Sequence, residues 1–330
     1  MSLAKVKSVF SRKEKEVGEK ELFRNTLLLV KKTFQDLASL KKFIITLIIM
    51  LLPLIITIAF PSTIDYGSIS PQHAAAAISI SIVFLLFFWT LGIAFICLIG
   101  VSGASLISEE VYSGTMLILV SKPIQRVKIF LGKYLGLFLY GATLSFVAIF
   151  SIGWIAVLRY SGNIHHFFGI LPFLFATYVY SLVLLLIFCS ITLALSSIVK
   201  KPRTAALLVI LLVMFSFIGM MILKMFLGDS YKAMFLYTID LGYHLGNIYI
   251  GILDVFNAIP PVAEWQTWFA TFSGVYETTP PTDPDQDINP GGMKRTDYVY
   301  PWVSLLIWIG IAVVLLIYGL ISLNKREISV

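Results

Sequence analysis

The side chains that could support catalysis are few in this sequence and are predicted to lie far apart. Ser102 lies in a G-x-S-G pattern at residues 100–103, where it could act as a nucleophile if a histidine served as its base. Ser102 falls near one end of an apolar run, whereas every histidine falls on the other side of these runs, so no base is expected to reach it. Close helix packing explains the small residues better. The four histidines are His73, His165, His166 and His244.

Metal-binding patterns are also weak. Asp283, Asp285 and Asp287 begin like a calcium-binding loop, but the glycine required at the sixth position is Ile288 and the bidentate acid required at the twelfth is Lys294. The two adjacent histidines make a poor pair of ligands because neighbours on a helix do not face each other. The sequence therefore predicts a solvated acidic turn and no metal site.

A nucleotide-binding loop is missing from the sequence. The pattern G-x-x-x-x-G-K-[ST], whose backbone amides hold nucleotide phosphates, does not occur. Gly132 and Lys133 come nearest, but Tyr134 follows them and the upstream glycine is lacking. Any ATP-driven role therefore requires a separate ATPase.

Composition indicates the setting in which these side chains lie. Of the 330 residues, 58% are hydrophobic and only 13% are charged, about half the charged fraction of a globular protein, so the chain is predicted to be an all-α integral membrane protein. The net charge of +7 comes from short segments beside apolar runs, which favours membrane topology over nucleic-acid binding. Cys97 and Cys189 lie inside apolar runs and are expected to act as small hydrophobic residues.

Six apolar runs are long enough to cross a hydrocarbon layer of about 30 Å. A charged segment at residues 1–42 precedes them. Within it, apolar residues from Leu22 onwards recur at helical spacing and predict an amphipathic helix in the membrane interface. We therefore predict this N-terminal segment followed by a six-span domain at 43–330. The predicted spans are 43–60, 74–106, 127–158, 170–199, 204–227 and 301–323.

Positive charges predict the orientation of these spans. With the N-terminus inside, twenty of the 25 Lys and Arg residues fall on the cytoplasmic side, which places both termini in the cytoplasm of a plasma (inner) membrane protein. An outer segment at 228–300 is apolar in its first half but interrupted by Gly and Asp, so short re-entrant or interfacial helices are expected there. Asp240 and Asp254 in this segment are candidates for the substrate path.

A polar stretch at 107–136 follows the second span and includes the first residues of the third. Glu109 and Glu110 come first, a Ser-Gly-Thr turn and a short apolar run follow, and cations end the stretch. Ser113 could cap a short helix from about Gly114 to Val120, and its apolar face could enter a groove on a partner. An ordinary positive loop would explain the cations but not the glutamates or the apolar run.

This stretch resembles the first cytoplasmic loop of type-2 ABC transporter permeases. The shared elements are LISEE at 106–110, SGTML at 113–117, SKPIQR at 121–126 and GK at 132–133. The resemblance implies a cytoplasmic ABC ATPase subunit docked on the loop at 107–126, with ATP and Mg bound by that ATPase and no cofactor bound by this chain. It also implies a second permease subunit, identical or not. The implied docking residues are Glu109, Glu110, Ser113, Gly114, Thr115, Met116, Leu117, Pro123, Arg126 and Lys133.

The leading hypothesis is thus the permease subunit of an exporter, with neither catalytic residues nor nucleic-acid binding. Few ionisable groups lie in the spans, which favours an amphipathic or lipid-like cargo over a bare ion. One alternative is an intramembrane hydrolase using Ser102, since residues 100–103 match the motif of rhomboid proteases. Another is a membrane anchor or sensor that binds a protein through its outer segment.

Overall fold

The computed structural model describes residues 26–58, 70–114, 125–260, 264–277 and 293–325. Its regular secondary structure in these ranges is helical, and the β pairing found there is one isolated bridge between Tyr276 and Arg295. Six described helices are long and apolar enough to cross a membrane, which confirms the predicted all-α, six-span fold. They are α2 (Leu40–Ile58), α3 (Pro71–Tyr112), α4 (Arg126–Tyr160), α5 (His165–Ile198), α6 (Pro202–Leu227) and α10 (Pro301–Lys325).

The α5 helix is the centre of the bundle. It packs extensively against α3, α4 and α10, and it is the most buried of the six spans. By contrast, α2 and α10 are the least buried. The α3, α4 and α5 helices have 42, 35 and 34 residues, more than the ~20 that one crossing requires, so they tilt or extend beyond the hydrocarbon layer.

Two spans contain π-helical segments where they meet. One segment covers Leu85–Phe95 in α3 and the other Phe215–Gly219 in α6. They touch at Gly92, where an added Cβ would lie 2.8 Å from the Phe217 ring. A wider helical turn of this kind is rare and is often found at functional sites.

Before the spans, the described part of α1 (residues 26–37) lies across the start of α4. Val30, Thr33 and Leu37 are buried against the bundle, whereas Lys31 and Lys32 are exposed, so one face of the helix packs on α4. Leu27 belongs to the predicted apolar face but is exposed. We call the end of the bundle that carries α1 the α1 end.

The opposite end, here called the α8 end, is built from short helices between α6 and α10. They are α7 (Asp229–Ala233), a 3₁₀ turn (Leu236–Thr238), α8 (Leu241–Val255) and α9 (Glu264–Phe272). In the sequence, the glycines at 246 and 251 suggest that a helix is interrupted, but α8 is continuous through both. Neighbouring residues pack closely against them: an added Cβ at Gly246 would lie 2.7 Å from Ser273 Cβ, and one at Gly251 would lie 2.7 Å from Pro301 Cβ. The small residues let α8 approach its neighbours closely.

Candidate functional site

The structure describes six of the ten predicted docking residues, all near the α1 end. Glu109 and Glu110 lie in the last turn of α3, and Ser113 and Gly114 end that helix. Arg126 begins α4, with Lys133 two turns further on. Thr115, Met116, Leu117 and Pro123 lie outside the described residues, as does the predicted helix beyond Gly114.

An ion pair joins the two helices that flank the loop. The Lys133 ammonium contacts the Glu110 carboxylate and also donates a hydrogen bond to the carbonyl of Leu106. The Lys133 side chain is 5% exposed and that of Glu110 is 30% exposed. A buried ammonium needs such partners, because its desolvation would otherwise be very unfavourable. The pair therefore fixes the end of α3 against the start of α4.

Ser113 does not have the backbone of a helix N-cap, so that part of the prediction is wrong. Its φ of −83° and ψ of −5° are helical, and its N–H donates to the carbonyl of Glu109 at 2.8 Å. Ser113 is instead the C-cap of α3. Gly114 follows with a φ of +74°, the left-handed conformation in which glycine ends helices. The turn in the sequence thus marks where α3 stops.

Arg126 connects the loop to the last span. Its Nη1 donates to the carbonyls of Leu323 and Asn324 at 3.1 and 2.9 Å, at the C-terminal end of α10. A guanidinium is favourable there because the final carbonyls of a helix lack intrahelical donors and carry partial negative charge. At least part of the hydrogen-bonding capacity of Arg126 is therefore used within this chain.

Ser196 near the end of α5 adds a contact that sequence reasoning missed. Its hydroxyl accepts from the N–H groups of Ile107 and Ser108, each at 3.1 Å, and donates to the carbonyl of Ala104 at 2.8 Å. In the sequence, Ser196 is one serine in an apolar run, and nothing there indicates that it bonds the backbone of α3. Together, these contacts join α3, α4, α5 and α10 beside the predicted docking loop.

Glycines on α4 hold α1 against this cluster. At Gly136 an added Cβ would lie 2.6 Å from Thr33 Cβ, and at Gly132 it would lie 2.9 Å from Leu29 Cβ. The spacing of the two glycines, one helical turn, is a signal for close packing that the sequence contained.

The two predicted substrate-path aspartates have different surroundings. Asp240 is buried; its Oδ2 lies 2.7 Å from Lys224 Nζ and accepts a hydrogen bond from the Tyr231 hydroxyl at 2.8 Å. Its Oδ1 caps α8 by accepting from the N–H of Tyr243. Asp254 lies in the last turn of α8 and is exposed. The structure therefore does not bring the two carboxylates together, since about 20 Å of helix separates them.

Lys224 lies in the last turn of α6, and its side chain is only 11% exposed. Besides its ion pair with Asp240, its ammonium donates to the carbonyls of Phe272 and Ser273, at 3.3 and 2.8 Å. Burial and the nearby Asp240 carboxylate raise the pKa of Tyr231, which keeps this hydroxyl protonated as a donor. The cluster joins the ends of α6, α8 and α9.

His244 and Asn247 form a second polar cluster between α8 and α10. His244 Nδ1 lies 2.9 Å from the Ser304 hydroxyl, and Nε2 lies 3.1 Å from the carbonyl of Thr238. Burial lowers the pKa of His244, which favours the neutral ring. Asn247 donates to the carbonyl of Val299 and accepts from Arg295.

The two glycines of the G-x-S-G pattern, Gly100 and Gly103, pack closely against neighbouring helices. An added Cβ at Gly100 would lie 2.5 Å from Val209 Cγ1 on α6, and one at Gly103 would lie 2.7 Å from side chains of α4 and α5. His73 lies on the same helix as Ser102, about 40 Å away along the helix axis at ~1.5 Å per residue. It is hydrogen-bonded to Ser70. In the described ranges, no three His, Cys, Asp or Glu side chains cluster as a metal site would require, and residues 283–287 lie outside those ranges.

The six spanning helices that the structure describes, with α5 at their centre, define a multi-pass, all-α membrane protein. Within that class, the chain belongs to the ABC-2 family, because the family model described as ABC-2 family transporter protein matches residues 27–328. A search of curated proteins found no match. The chain is thus a membrane permease subunit of an ABC transporter, which confirms the resemblance seen in the loop motif.

Proposed function

We propose that this permease is the membrane subunit of an exporter, driven by a separate cytoplasmic ABC ATPase that docks on residues 107–126. ATP and Mg are bound by that ATPase, and a second permease subunit completes the pore. Membership of the ABC-2 family supports the need for an ATPase. Export of an amphipathic cargo is favoured by the apolar spans.

The observation that carries the proposal is the set of contacts beside the loop. The ion pair of Glu110 with Lys133 links α3 to α4, and the hydrogen bonds of Arg126 link α4 to α10. A movement of the loop should therefore move α3, α4 and α10 together. Interfaces of this kind move as packed units between discrete arrangements.

ATP binding supplies the free energy in this mechanism. Closure of two ATPase subunits draws the two docking loops together, and the joined helices rock between inward-facing and outward-facing states. The α1 end is the cytoplasmic end in this proposal, in agreement with the excess of Lys and Arg beside the spans that meet there.

A crosslinking experiment with paired cysteine variants tests the docking. Tyr112 at the end of α3 is 71% exposed, and Tyr300 at the α8 end is 69% exposed. Tyr112→Cys and Tyr300→Cys are each co-expressed with candidate ABC ATPases and treated with a short bifunctional crosslinker. We expect an adduct with an ABC ATPase, identified by mass spectrometry, for Tyr112→Cys alone.

Tyr300→Cys is the control, because Tyr300 is equally exposed but lies at the opposite end of the bundle, so it reports crosslinking by chance collision. Equal capture from both positions, or no capture by a well-folded Tyr112→Cys protein, contradicts docking at this end. Size-exclusion chromatography of each variant establishes that the protein is folded.

A further inference from the structure

Two cavities follow one another along α3. The first, of about 610 Å³, is lined mainly by residues of α2, α3 and α6, together with Leu37 of α1 and Tyr140 of α4. The second, of about 580 Å³, is lined by the first half of α3 together with α9 and Pro53 of α2. Of the described residues, Trp89 alone lines both cavities. The indole therefore lies at the boundary between them.

The Trp89 indole is held at this boundary by a hydrogen bond to α2. Its Nε1 donates to the carbonyl of Ile49 at 3.0 Å, and the next residue, Thr90, donates to the carbonyl of Met50 at 3.2 Å. Pro53 lies four residues after Ile49 and has no N–H, so this carbonyl lacks its usual donor within α2. The donor that Pro53 removes from α2 is thus replaced by the indole N–H of the next span.

Trp89 also lies in the π-helical segment of α3. That segment contacts the π-helical segment of α6 through Gly92 and Phe217. The indole is therefore attached to a π-helical part of α3, and π-helical turns are often found at functional sites.

Together the cavities are long enough to cross the hydrocarbon layer. Their lining on α3 extends from Ile80 to Ser105, about 37 Å at ~1.5 Å per residue, compared with ~30 Å for the hydrocarbon core. The lining is mostly aliphatic and aromatic, which suits an acyl chain. The α2 helix on one side is among the least buried spans, so the cavities are accessible from the side of the bundle.

One charge lies in the lining that the structure describes. Lys42 contributes to the first cavity at its α1 end, where α2 begins, and no acid accompanies it in the described lining. The polar groups nearby are hydroxyls, including the contact of Thr46 with Tyr140 at 3.5 Å. A cation above an apolar cavity matches a molecule with an anionic head and a hydrocarbon tail.

We propose that the two cavities form one path for an anionic single-chain amphiphile that enters from the bilayer, and that Trp89 is the gate across it. Lys42 holds the anionic head, the tail lies against Ile49 and Cys97, and movement of the indole opens the second cavity. The cargo role of this molecule rests on the proposed function. Its binding to the permease does not, because binding requires no ATPase.

Photolabelling of the full-length chain tests the charge requirement. The purified permease in phosphatidylcholine nanodiscs is labelled with palmitate that carries a terminal diazirine, and separately with a neutral monoacylglycerol of the same chain. Lys42→Gln should lower palmitate labelling of the cavity about two- to fivefold, the range expected for loss of an exposed ion pair. Labelling by the neutral probe should not change.

Lys41 provides the matched control, since it is exposed at the adjacent position but does not line the cavity. Lys41→Gln should leave palmitate labelling unchanged. Equal effects of the two substitutions, or palmitate labelling as strong on the exposed face of α10 as in the cavity, overturns the proposal. Either result leaves the test of ATPase docking intact.

The gate is tested by peptide mapping of the same label. In the wild type we expect labelling on the α1 side of Trp89, at residues such as Cys97. Trp89→Ala should shift label to the second cavity, at Phe88 and Trp268, whereas Trp89→Phe keeps the bulk of the ring, loses the bond to Ile49 and should give a partial shift.

Trp302→Ala on α10 is the control for removal of a large aromatic group outside the path. An unchanged label pattern in a folded Trp89→Ala protein contradicts the gate. If Trp89→Ala does not fold, Trp89→Phe decides, because full retention of the wild-type pattern by Trp89→Phe contradicts a gate that the bond to Ile49 holds in place.

Discussion

At the scale of single residues, two adjacent glutamates have different roles. Glu109 is exposed, whereas Glu110 is partly buried and paired with Lys133. Lys133 is tolerated inside the bundle because the carboxylate and the carbonyl of Leu106 replace the water that its ammonium has lost. Charge alone does not distinguish the two carboxylates, but their positions on α3 do.

Glu110→Gln should therefore destabilise the permease more than Glu109→Gln. The amide leaves the Lys133 ammonium buried without a counter-charge, and we expect a loss of about 1–3 kcal/mol, below the cost for fully buried pairs because Glu110 is partly exposed. Chemical unfolding in detergent micelles measures the loss. Glu109→Gln should lie within about 0.5 kcal/mol of the wild type, as do most surface changes.

The double variant Glu110→Gln/Lys133→Met tests whether the loss of stability comes from the ion pair itself. Replacing both charges removes the unpaired ammonium and should recover much of the lost stability. Equal losses for Glu109→Gln and Glu110→Gln would show that the ion pair is not the cause.

At the scale of elements, the packing of α1 on α4 depends on two glycines of α4, which have no side chain. Gly132 and Gly136 lie one turn apart and face Leu29 and Thr33 of α1. The resulting close approach lets a short helix pack on a span with a small contact area, where van der Waals contacts are the main attraction. Adding one methyl group changes the distance between the two helices.

Gly136→Ala should loosen α1 from α4. Its Cβ would lie 2.6 Å from Thr33 Cβ and 3.1 Å from the backbone carbonyl of Val30, so the helices must separate, at a cost of about 1–3 kcal/mol. Hydrogen exchange should increase in residues 26–37 before the spans are affected. Thermal unfolding in detergent reports the total loss.

Gly310→Ala on α10 is the matched control. Nothing lies within 4 Å of its added Cβ, so this change should be neutral or stabilise the helix by up to about 1 kcal/mol. If Gly136→Ala behaves in the same way, tight packing of α1 on α4 is refuted.

At the scale of the whole molecule, the two ends of the bundle differ in chemistry. The α1 end holds interhelical contacts beside a polar loop, and the α8 end holds buried polar clusters around Asp240 and His244. The excess of Lys and Arg next to the spans at the α1 end predicts that this end and both termini lie in the cytoplasm.

Thiol labelling of intact cells tests this orientation. A membrane-impermeant maleimide should label Tyr300→Cys in intact cells, and should label Tyr112→Cys only after the membrane is permeabilised. The natural Cys97 and Cys189 lie within spans, and Cys189 is fully buried, so the wild type supplies the background. Labelling of Tyr112→Cys in intact cells would reverse the topology.

Local patterns predicted the elements well and the contacts poorly. Apolar runs of sufficient length indicated six spans, because any span must bury its backbone polar groups in a helix. The glycines of α8 suggested interruptions, yet they let a continuous helix pack closely against its neighbours. Ser113 suggested the start of a helix and instead ends one, since capping residues are common at both kinds of boundary.

Partners distant in the sequence could not be predicted. The bond of Trp89 to Ile49 spans 40 residues and that of Arg126 to Leu323 spans 197. Asp240 was recognised as an unusual charge in an apolar segment, but its pairing with Lys224 depends on how α6, α8 and α9 are arranged. No local pattern encodes that arrangement.

The sequence by itself determined that this chain is a helical membrane protein with six spans, and its loop motif indicated the ABC-2 family. These properties follow from the length of apolar runs and from residues close together in the chain. Only the tertiary structure decided which charges are paired, which glycines are helix contacts and where the cavities lie. Each of those depends on side chains from separate helices meeting in space, and burial then determines the strength of the contacts.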